Sequence, residues 1–367
     1  MHGVTETAYW LAISQWPGIG SRRAWRLKEK LGTGTAVWQA DGDTLQEILG
    51  LRAEAVTKIL DMRQRQDPAT MLERIEQRGA WVLSFADEAY PARLLQLFDP
   101  PVVLLGWGPP LVGHERHLAV VGARRRTSYG RRVTNELIGG LAGSDVVIIS
   151  GLALGIDGQA HRAALDNGLV TWAVLGSGFG HLYPRQHREL ALQIMENGGT
   201  LLSEYTPDTH PEAHHFPARN RIIAALADAI LVVEADHKSG SLITVDHGLD
   251  LGRDIWAVPG NVTSRFSRGT NNLLRHGATL IASSEDILAE WSWGRGTVNA
   301  EEEAPNFAGA AQLVYEAIDY QNTSLEAIVD ASGLTTAEVL ASLMELELGG
   351  WIEATAAQSY RRTPVKT

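Results

Sequence analysis

Residues 117–161 read HLAVVGARRRTSYGRRVTNELIGGLAGSDVVIISGLALGIDGQAH, and the order of patterns in this stretch decides the fold. An apolar run at 118–121 and another at 146–149 each end in a glycine turn, and a helical pattern separates them. Strand, glycine turn and helix in repetition predict neighbouring strands of a parallel sheet. Both turns then lie at the carboxyl edge of the sheet, where folds of this class bind ligands.

The same alternation continues as far as Trp291. Strands are predicted at 118–121, 146–149, 171–175, 200–202, 229–233, 254–258 and 279–282, after two shorter ones at 81–85 and 102–105. Helices are predicted at 131–141, 158–166, 186–197, 219–226, 241–251 and 269–276. The longer apolar runs are continuous, as expected for strands that are covered on both faces. The sequence therefore predicts an α/β fold, a Rossmann-like, doubly wound, mostly parallel sheet.

Helical patterns on either side of the sheet predict a multidomain chain. We expect a helical domain at 1–78, SAM-like or helix-hairpin-helix in type, and a Rossmann-like domain at 79–293. A polar linker is predicted at 294–308 and a winged helix at 309–367. The winged helix is indicated by helical patterns, the last of which begins at the capping box Thr335-x-x-Glu338, and by two extended pieces that follow them.

Two glycine turns in the N-terminal domain have two interpretations. The sequences around Gly18–Gly20 and around Gly50 each precede a helix, as in a helix-hairpin-helix pair. Such turns can offer backbone amides to a DNA phosphate. Alternatively, they are glycine-capped corners of a helical bundle, which the sequence favours slightly.

The composition is that of an ordinary globular protein. The chain has 367 residues and no cysteine, which excludes disulfides and thiolate metal sites. No apolar run is long enough to cross a bilayer and the start lacks the features of a signal peptide, so we expect a cytoplasmic protein without membrane contact. The net charge of −11 is concentrated at the end, since 301–367 contain 11 acids and 3 bases.

Cationic and small residues cluster where the predicted strands end. Arginines at this edge, together with glycine turns and helix N-termini, favour an anion, and we expect the edge to hold phosphates. The candidate DNA-binding residues are Gly122, Ala123, Arg124, Arg125, Thr127, Ser150, Gly151, Gly155, Phe179, Arg219, Asn220, Arg221, Lys238, Ser239 and Gly240. Arg219 and Arg221 diverge on a helix, so an alternative is that one binds DNA and the other braces the sheet edge. Further aromatic residues that could stack on bases are Tyr183, Phe216 and Phe266, with packing in the core an equal alternative for Tyr183 and Phe216 beside prolines.

Nucleotide cofactors, metals and catalysis are not indicated. The turn after the first long strand lacks the G-x-G-x-x-G spacing, and no Walker motif is present. His210, His214 and His215 have metal-like spacing without a defined fourth ligand, so we expect no metal site. Asp157 and Glu204 are expected to orient arginines or accept from amides, because no nucleophile accompanies them.

Seven ordered segments carry a family resemblance. They are VVGARRRTSYG (120–130), SGLALGIDGQAH (150–161), AVLGSGFGHLYP (173–184), SEY (203–205), FPARNRIIAAL (216–226), VVEADHKSGSLIT (232–244) and AVPG (257–260). The chain resembles the DprA/Smf family of DNA-processing proteins of bacterial transformation. One departure is Ala123, where the family usually has serine, which removes one phosphate hydrogen bond of about 0.5–1.5 kcal/mol.

The resemblance implies a non-enzymatic protein without cofactors. It implies a homodimer that binds single-stranded DNA, protects it and loads RecA, with the single-strand-binding protein as a further partner. The competing hypothesis is a nucleotide-processing hydrolase that uses Asp157 and Glu204, since related Rossmann-like folds have such activities. The last helix of the winged helix carries Glu338, Glu345 and Glu347 and no cation, so we expect it to bind a protein or a second copy rather than duplex DNA.

Overall fold

The computed structural model describes residues 4–111, 113–293, 307, 309–318, 323–349, 351–355 and 359–362. The chain divides into two compact units, Met1–Gly294 and Arg295–Thr367. The predicted linker 294–308 lies outside the described residues except for Phe307. Among the described residues no single helix is long and apolar enough to cross a membrane; one bent pair, Leu325–Ser332 and Thr336–Glu347, meets the criterion by length and composition only.

The first unit begins with a helical bundle. Its helices are α1 (Glu6–Ser14), α2 (Ser21–Leu31), α3 (Gly34–Gln39), α4 (Gly42–Leu49), α5 (Ala53–Arg65) and α6 (Pro68–Glu76). Side chains cap several of them; for example, the Asp41 carboxylate accepts from the backbone N–H of Thr44. The bundle shares one apolar core with the sheet, which joins Trp10 and Leu27 to Leu105 and Ile223. The boundary predicted at 78/79 therefore lies inside this unit.

The sheet agrees closely with the predicted strands. They are β1 (Ala80–Ser84), β2 (Val103–Trp107), β3 (Arg116–Val121), β4 (Val146–Ser150), β5 (Thr171–Val174), β6 (Thr200–Ser203), β7 (Ala229–Val232), β8 (Asp254–Ala257) and β9 (Thr279–Leu280). Within the described residues these nine strands form one sheet, in the order β1-β2-β6-β5-β4-β3-β7-β8-β9. β1 and β2 pair antiparallel at one edge, and the pairs from β6 to β9 are parallel. The prediction of a Rossmann-like, mostly parallel sheet is confirmed.

Helices cover both faces of this sheet. They are α7 (Ser128–Gly139), α8 (Ile156–Asp166), α9 (Arg188–Glu196), α10 (His215–Leu226), α11 (Ser241–Asp250), α12 (Arg268–Arg275) and α13 (Ser284–Trp293). Successive residues of β3 enter opposite cores: Leu118 and Val120 pack in one, Ala119 and Val121 in the other. This explains why the apolar run is continuous, because a strand with two covered faces has no solvent-facing positions.

The second unit is a winged helix. Its elements are α14 (Ala310–Ala317), β10 (Thr323–Ser324), α15 (Leu325–Ser332), α16 (Thr336–Leu348), β11 (Ile352–Thr355) and β12 (Ser359–Arg362). The predicted capping box is present, since Thr335 and Glu338 bond reciprocally at the start of α16. β11 and β12 have the predicted bounds, and β10, which the sequence did not indicate, pairs with β12. The winged helix prediction is confirmed.

His161 is buried beneath the sheet and has a structural role. Its Nδ1 lies 2.7 Å from Thr171 Oγ1. The Thr171 hydroxyl donates to the carbonyl of Ile148, so the hydroxyl oxygen accepts from His161 Nδ1–H. Burial, together with the nearby cationic residues, lowers the pKa of His161 to about 3. His161 therefore remains neutral at physiological pH.

This burial predicts a loss of stability in acid. Between pH 6.5 and about pH 5 the unfolded chain protonates His161 and the folded chain does not. The free energy of unfolding should therefore fall by about 1.4 kcal/mol per pH unit from this group. Urea unfolding of the wild type and His161→Gln at both pH values measures the difference, because glutamine can still donate to Thr171. Identical pH slopes in the two proteins would contradict the assignment.

Candidate nucleic-acid interface

A cavity at the predicted site lies at the ends of β3 and β7. β3 lies between β4 and β7 in the sheet. The chain continues from β3 to β4 on one side and returns to β7 on the other, so the strand order reverses at this cavity. Its volume is about 760 Å³, and we name it the switch-point cavity. Its lining comes from residues 121–125, 216–217, 219–220, 236–241 and 265–266, with Ala153, Asp157, Ile223, Ile243 and Thr244.

The loop after β3 is held in place by backbone contacts. The N–H of Ala123 donates to the carbonyl of Glu234 at 2.7 Å, and the carbonyl of Ala123 accepts from Ile156 N–H at 3.2 Å. The Glu234 carboxylate, 2% exposed, accepts from both the backbone N–H and the hydroxyl of Thr127. Thr127 in turn caps α7. The predicted DNA-binding residue Thr127 is thus already engaged in fixing the loop.

Gly155 makes this loop geometry possible. Its φ is +90°, and a Cβ at this position would overlap the carbonyl oxygen of Ala123. We expect Gly155→Ala to shift the loop that carries Arg124, to lower the free energy of unfolding by about 1–3 kcal/mol and to weaken ligand binding. Gly168→Ala is the matched control, since its φ is +67° and the space around it is open. Equal effects of the two variants on binding would contradict a special role of Gly155.

Exposed cations surround the mouth of the cavity. Arg124 and Arg125 follow β3, and Lys238 lies on the loop between β7 and α11; all three are exposed. Among the described residues none of them forms an ion pair with a carboxylate. The guanidinium of Arg124 also lies 5.8 Å from the ring centroid of Phe216. The structure therefore brings the predicted loop cations to one cavity and leaves their charge free for an anion.

Arg219 forms the floor of the cavity and not its rim. The side chain is buried and donates to the carbonyls of Gly151 and Val174, which follow or end neighbouring strands. Burial lowers the pKa of Arg219 to about 10, although the nearby Asp157 opposes this shift. The group is still charged at neutral pH, so it adds positive potential to the cavity. A Cβ at Gly151 would collide with this guanidinium, which explains the glycine.

Asp157 is a buried carboxylate near that arginine, at the wall of the cavity. Burial raises the pKa of Asp157, while Arg219 and the backbone N–H groups of Gly151 and Ala153 oppose the rise. The carboxylate thus accepts from backbone amides, as expected from the sequence, and Arg219 interacts with it electrostatically. The hydrolase hypothesis requires an acid or base beside a nucleophile, and these contacts of Asp157 do not include a nucleophile.

Arg221 corrects the sequence-based list. Its guanidinium forms two hydrogen bonds with the Glu204 carboxylate, at 2.8 and 2.7 Å, and an ion pair with Asp99 at 3.2 Å. The side chain is only 6% exposed and does not line the cavity. Burial tends to lower the pKa of Arg221, but the interaction with Glu204 outweighs it and raises that pKa. The predicted DNA contact of Arg221 is replaced by a structural role.

Two more predicted residues have other partners. Ser150 is buried and its hydroxyl donates to the carbonyl of Val120. Phe179 stacks on Trp107 with the ring centroids 5.1 Å apart, and it does not line the switch-point cavity. Both residues stabilise the sheet region. The sequence predicted that they contact DNA, but neither lines the cavity.

The loop between β7 and α11 contributes a polar wall. Asn220 donates to the carbonyl of Gly240 at 3.3 Å, which links the start of α10 to this loop. The hydroxyls of Ser239 and Ser241 lie 2.8 Å apart. Gly240 precedes α11 and supplies no side-chain cap. The first turn of α11 therefore begins at the cavity without a side-chain cap, as in anion-binding helix termini.

Sequence reasoning missed Arg265 as a lining residue. It pairs with Asp236 at 3.1 Å and lies 5.3 Å from the ring centroid of its neighbour Phe266. The sequence analysis named Phe266 as a residue that could stack on a base, and the position of Arg265 next to it could have indicated that Arg265 also lines the cavity. With Phe216, the cavity has two aromatic rings beside cations.

The three histidines with metal-like spacing, His210, His214 and His215, lie outside the cavity lining. Side-chain ligand atoms of Glu212, His214 and His215 lie within 4.8 Å of one another, a group with metal-ligand chemistry in the described residues. His210, which the sequence grouped with the other two histidines, instead contacts the ring of His181. Glu212 and His214 are exposed, and His214 Nδ1 lies 3.4 Å from Glu212.

Comparison with known proteins assigns the family. The family model for DNA recombination-mediator protein A matches residues 81–292, and that for the DprA winged helix domain matches 298–358. The protein Smf of Synechocystis sp. is 32% identical, over 98% of this chain and 99% of its own length.

Two solved structures are also similar. The X-ray structure of DNA processing protein A from Streptococcus pneumoniae is 35% identical with a TM-score of 0.67, covering 77% of this chain and 98% of that chain. A structure of DNA processing protein A from Helicobacter pylori, described for its single-stranded DNA binding mode, is 30% identical with a TM-score of 0.52, covering 59% and 96%. The cavity loops and most of the sheet and of the winged helix lie in matched segments, and the chain belongs to the DprA/Smf family of DNA-processing recombination-mediator proteins.

Proposed function

We propose that the switch-point cavity binds the sugar-phosphate backbone of single-stranded DNA. The observation that carries this proposal is the convergence of Arg124, Arg125 and Lys238, without carboxylate partners among the described residues, on one cavity above the buried charge of Arg219. Exposed cations at the ends of parallel strands are suited to phosphates, and Phe216 and Phe266 offer faces on which unpaired bases can stack. The single-stranded DNA binding of the Helicobacter pylori relative supports the same ligand.

The protein then acts as a non-enzymatic mediator. We infer that it covers single-stranded DNA as a homodimer and transfers the strand to RecA, with the single-strand-binding protein as a competitor or partner on the same DNA. Non-catalytic action is supported by Glu204, whose carboxylate is bonded twice by Arg221, and by Asp157, whose carboxylate accepts from two backbone N–H groups. A hydrolase would need a carboxylate directed at substrate.

The winged helix fits a protein partner better than duplex DNA. On α16 the apolar side chains of Leu340 and Met344 are 45% and 66% exposed, and the exposed Glu345 and Glu347 lie beside them. An acidic face would be repelled by phosphates, whereas exposed apolar groups favour a protein contact.

Salt titration of oligonucleotide binding tests the proposed ligand. We expect tighter binding to a single strand than to a duplex of the same sequence, little dependence on base sequence, and a log–log salt slope of about −0.7 per phosphate neutralised. Fluorescence anisotropy over a range of salt concentrations measures all three. Equal affinity for the duplex, or binding that does not respond to salt, would refute the proposal.

A further inference from the structure

A second cationic surface lies on the helical bundle, away from the residues that line the switch-point cavity. Two adjoining cavities, of about 430 and 320 Å³, are both lined by Arg22 and Arg26 of α2. Arg23 lines the first of them, and Trp25 and Phe98 line the second. We name these five residues the arginine–aromatic patch.

The arginines of this patch keep their charge available. Arg23 donates to the carbonyl of Gly18 at 2.7 Å, and Arg26 lies 3.4 Å from the carbonyl of Ile48. The guanidinium of Arg22 lies 3.5 Å from the ring centroid of Phe98. None of the three forms an ion pair with a carboxylate among the described residues. Their partners are neutral, so the patch carries uncompensated positive charge.

Neither of the two carboxylates that line these cavities forms an ion pair with Arg22, Arg23 or Arg26. Asp99 forms its ion pair with Arg221, at 3.2 Å. Glu29 accepts a hydrogen bond from the indole N–H of Trp25 at 3.0 Å. The indole is neutral, so Glu29 keeps its negative charge, but three arginines outnumber it and the surface remains net positive and attracts anions.

Phe98 adds a feature that a simple anion site does not require. Its side chain is 76% exposed, and the neighbouring Leu95 is 40% exposed. A large apolar ring with this exposure, beside arginines, has the composition of a platform on which a nucleobase stacks while its phosphates meet cations. A free phosphate or an acidic peptide would use the arginines and leave the ring without a role.

The glycine turn before α2 belongs to the same place. Gly20 lines the first cavity and precedes α2 without a side-chain cap. Arg26, on α2, approaches Ile48 at the end of α4, just before the second glycine turn at Gly50. The two turns that the sequence left open between DNA contact and bundle corner thus meet beside this patch.

The patch is joined to the proposed DNA site through α10. Asp99, in the wall of the first cavity, holds Arg221, and the adjacent Asn220 lines the switch-point cavity. Both surfaces therefore lie on one compact unit, and the Asp99–Arg221 ion pair links the wall of the first cavity to the helix that carries Asn220.

We propose that the arginine–aromatic patch is a second contact for single-stranded nucleic acid, with phosphates at Arg22 and Arg26 and a base on Phe98. The inference rests on the proposed function in one respect: the strand that binds in the switch-point cavity is the same strand that reaches the patch. A short oligonucleotide fills the switch-point cavity alone, and a longer one also engages the patch.

The test compares oligothymidylates of two lengths on the full chain: one of about six nucleotides and one several times longer. We expect Arg22→Gln with Arg26→Gln to leave affinity for the short strand unchanged and to weaken binding of the long strand roughly tenfold, with the salt slope flattened by about 1.4. Phe98→Ala should weaken the long strand by a similar factor and leave the salt slope unchanged, because stacking releases no counterions.

Lys58→Gln with Arg74→Gln is the matched control, since both residues are exposed on the same bundle and line neither cavity. Long-strand affinity in the Arg22/Arg26 variant equal to that of the control would overturn the inference, as would equal losses for both lengths. If the wild type binds neither length, the proposed function itself fails. If Arg124→Ala weakens binding of both lengths while the patch variants bind normally, only this inference fails.

Discussion

Replacing both Arg124 and Lys238 by alanine should weaken binding of single-stranded DNA roughly a hundredfold. Each replacement removes an exposed cation at the mouth of the switch-point cavity. A hydrogen bond to a charged group is worth about 1.5–3 kcal/mol, and the lower value for two contacts gives about 3 kcal/mol, or two orders of magnitude in affinity. The salt slope should flatten by about 1.4, at about 0.7 per phosphate contact.

The loss should be the same for all base sequences, because phosphates carry no sequence information. Anisotropy titrations with homopolymeric and mixed strands at several salt concentrations measure this. The control is Arg74→Ala with Arg188→Ala, which removes the same net charge from exposed positions outside the cavity lining. Equal affinities of the two double variants would show that only overall charge matters and would refute the assigned site.

Arg221→Met should destabilise the first unit by about 3–5 kcal/mol without weakening DNA binding by the remaining folded protein. The substitution leaves the Glu204 carboxylate, 14% exposed, without the guanidinium that it bonds twice. Removal of one partner from a buried ion pair costs this much because the other charge stays buried and uncompensated. Asp99 contributes less, since it is 46% exposed and solvent screens its charge.

The second variant in this experiment is Glu204→Met with Arg221→Met, which should recover most of the lost stability, because apolar replacement of both partners leaves no buried charge. Urea unfolding followed by tryptophan fluorescence reports mainly on the first unit, since every tryptophan except Trp351 precedes residue 294. A loss below about 1 kcal/mol together with weaker DNA binding would restore the DNA contact first predicted for Arg221.

The strands were predictable because each one carries its own signal. β3 to β8 are short apolar runs bounded by turns, and burial on both faces requires that pattern locally. The position of Arg124 was predictable for a related reason, since a residue two positions after a strand-ending glycine must lie at the carboxyl edge of a parallel sheet. β10 has only two residues and carries no such pattern.

The sequence could not show that Arg219 lines the cavity while Arg221 has a structural role. Their spacing shows that they diverge on a helix, but not which one faces a ligand. The answer depends on partners that are distant in sequence: Arg221 bonds Glu204 across 17 residues, and Arg219 bonds Gly151 across 68. Phe179 was misplaced for the same reason, because its partner Trp107 lies on β2, outside the motifs that identified the site.

The apolar core that joins the N-terminal helices to the sheet limits how this protein can be shortened. Trp10, Leu27 and Leu45 pack in the same cluster as Leu105 and Ile223. A chain that started at residue 79 would present that apolar face to water and become prone to aggregation. The helices thus cover part of the hydrophobic interior. Deletions that remove them would lower the solubility of the protein even if the DNA-binding loops kept their structure.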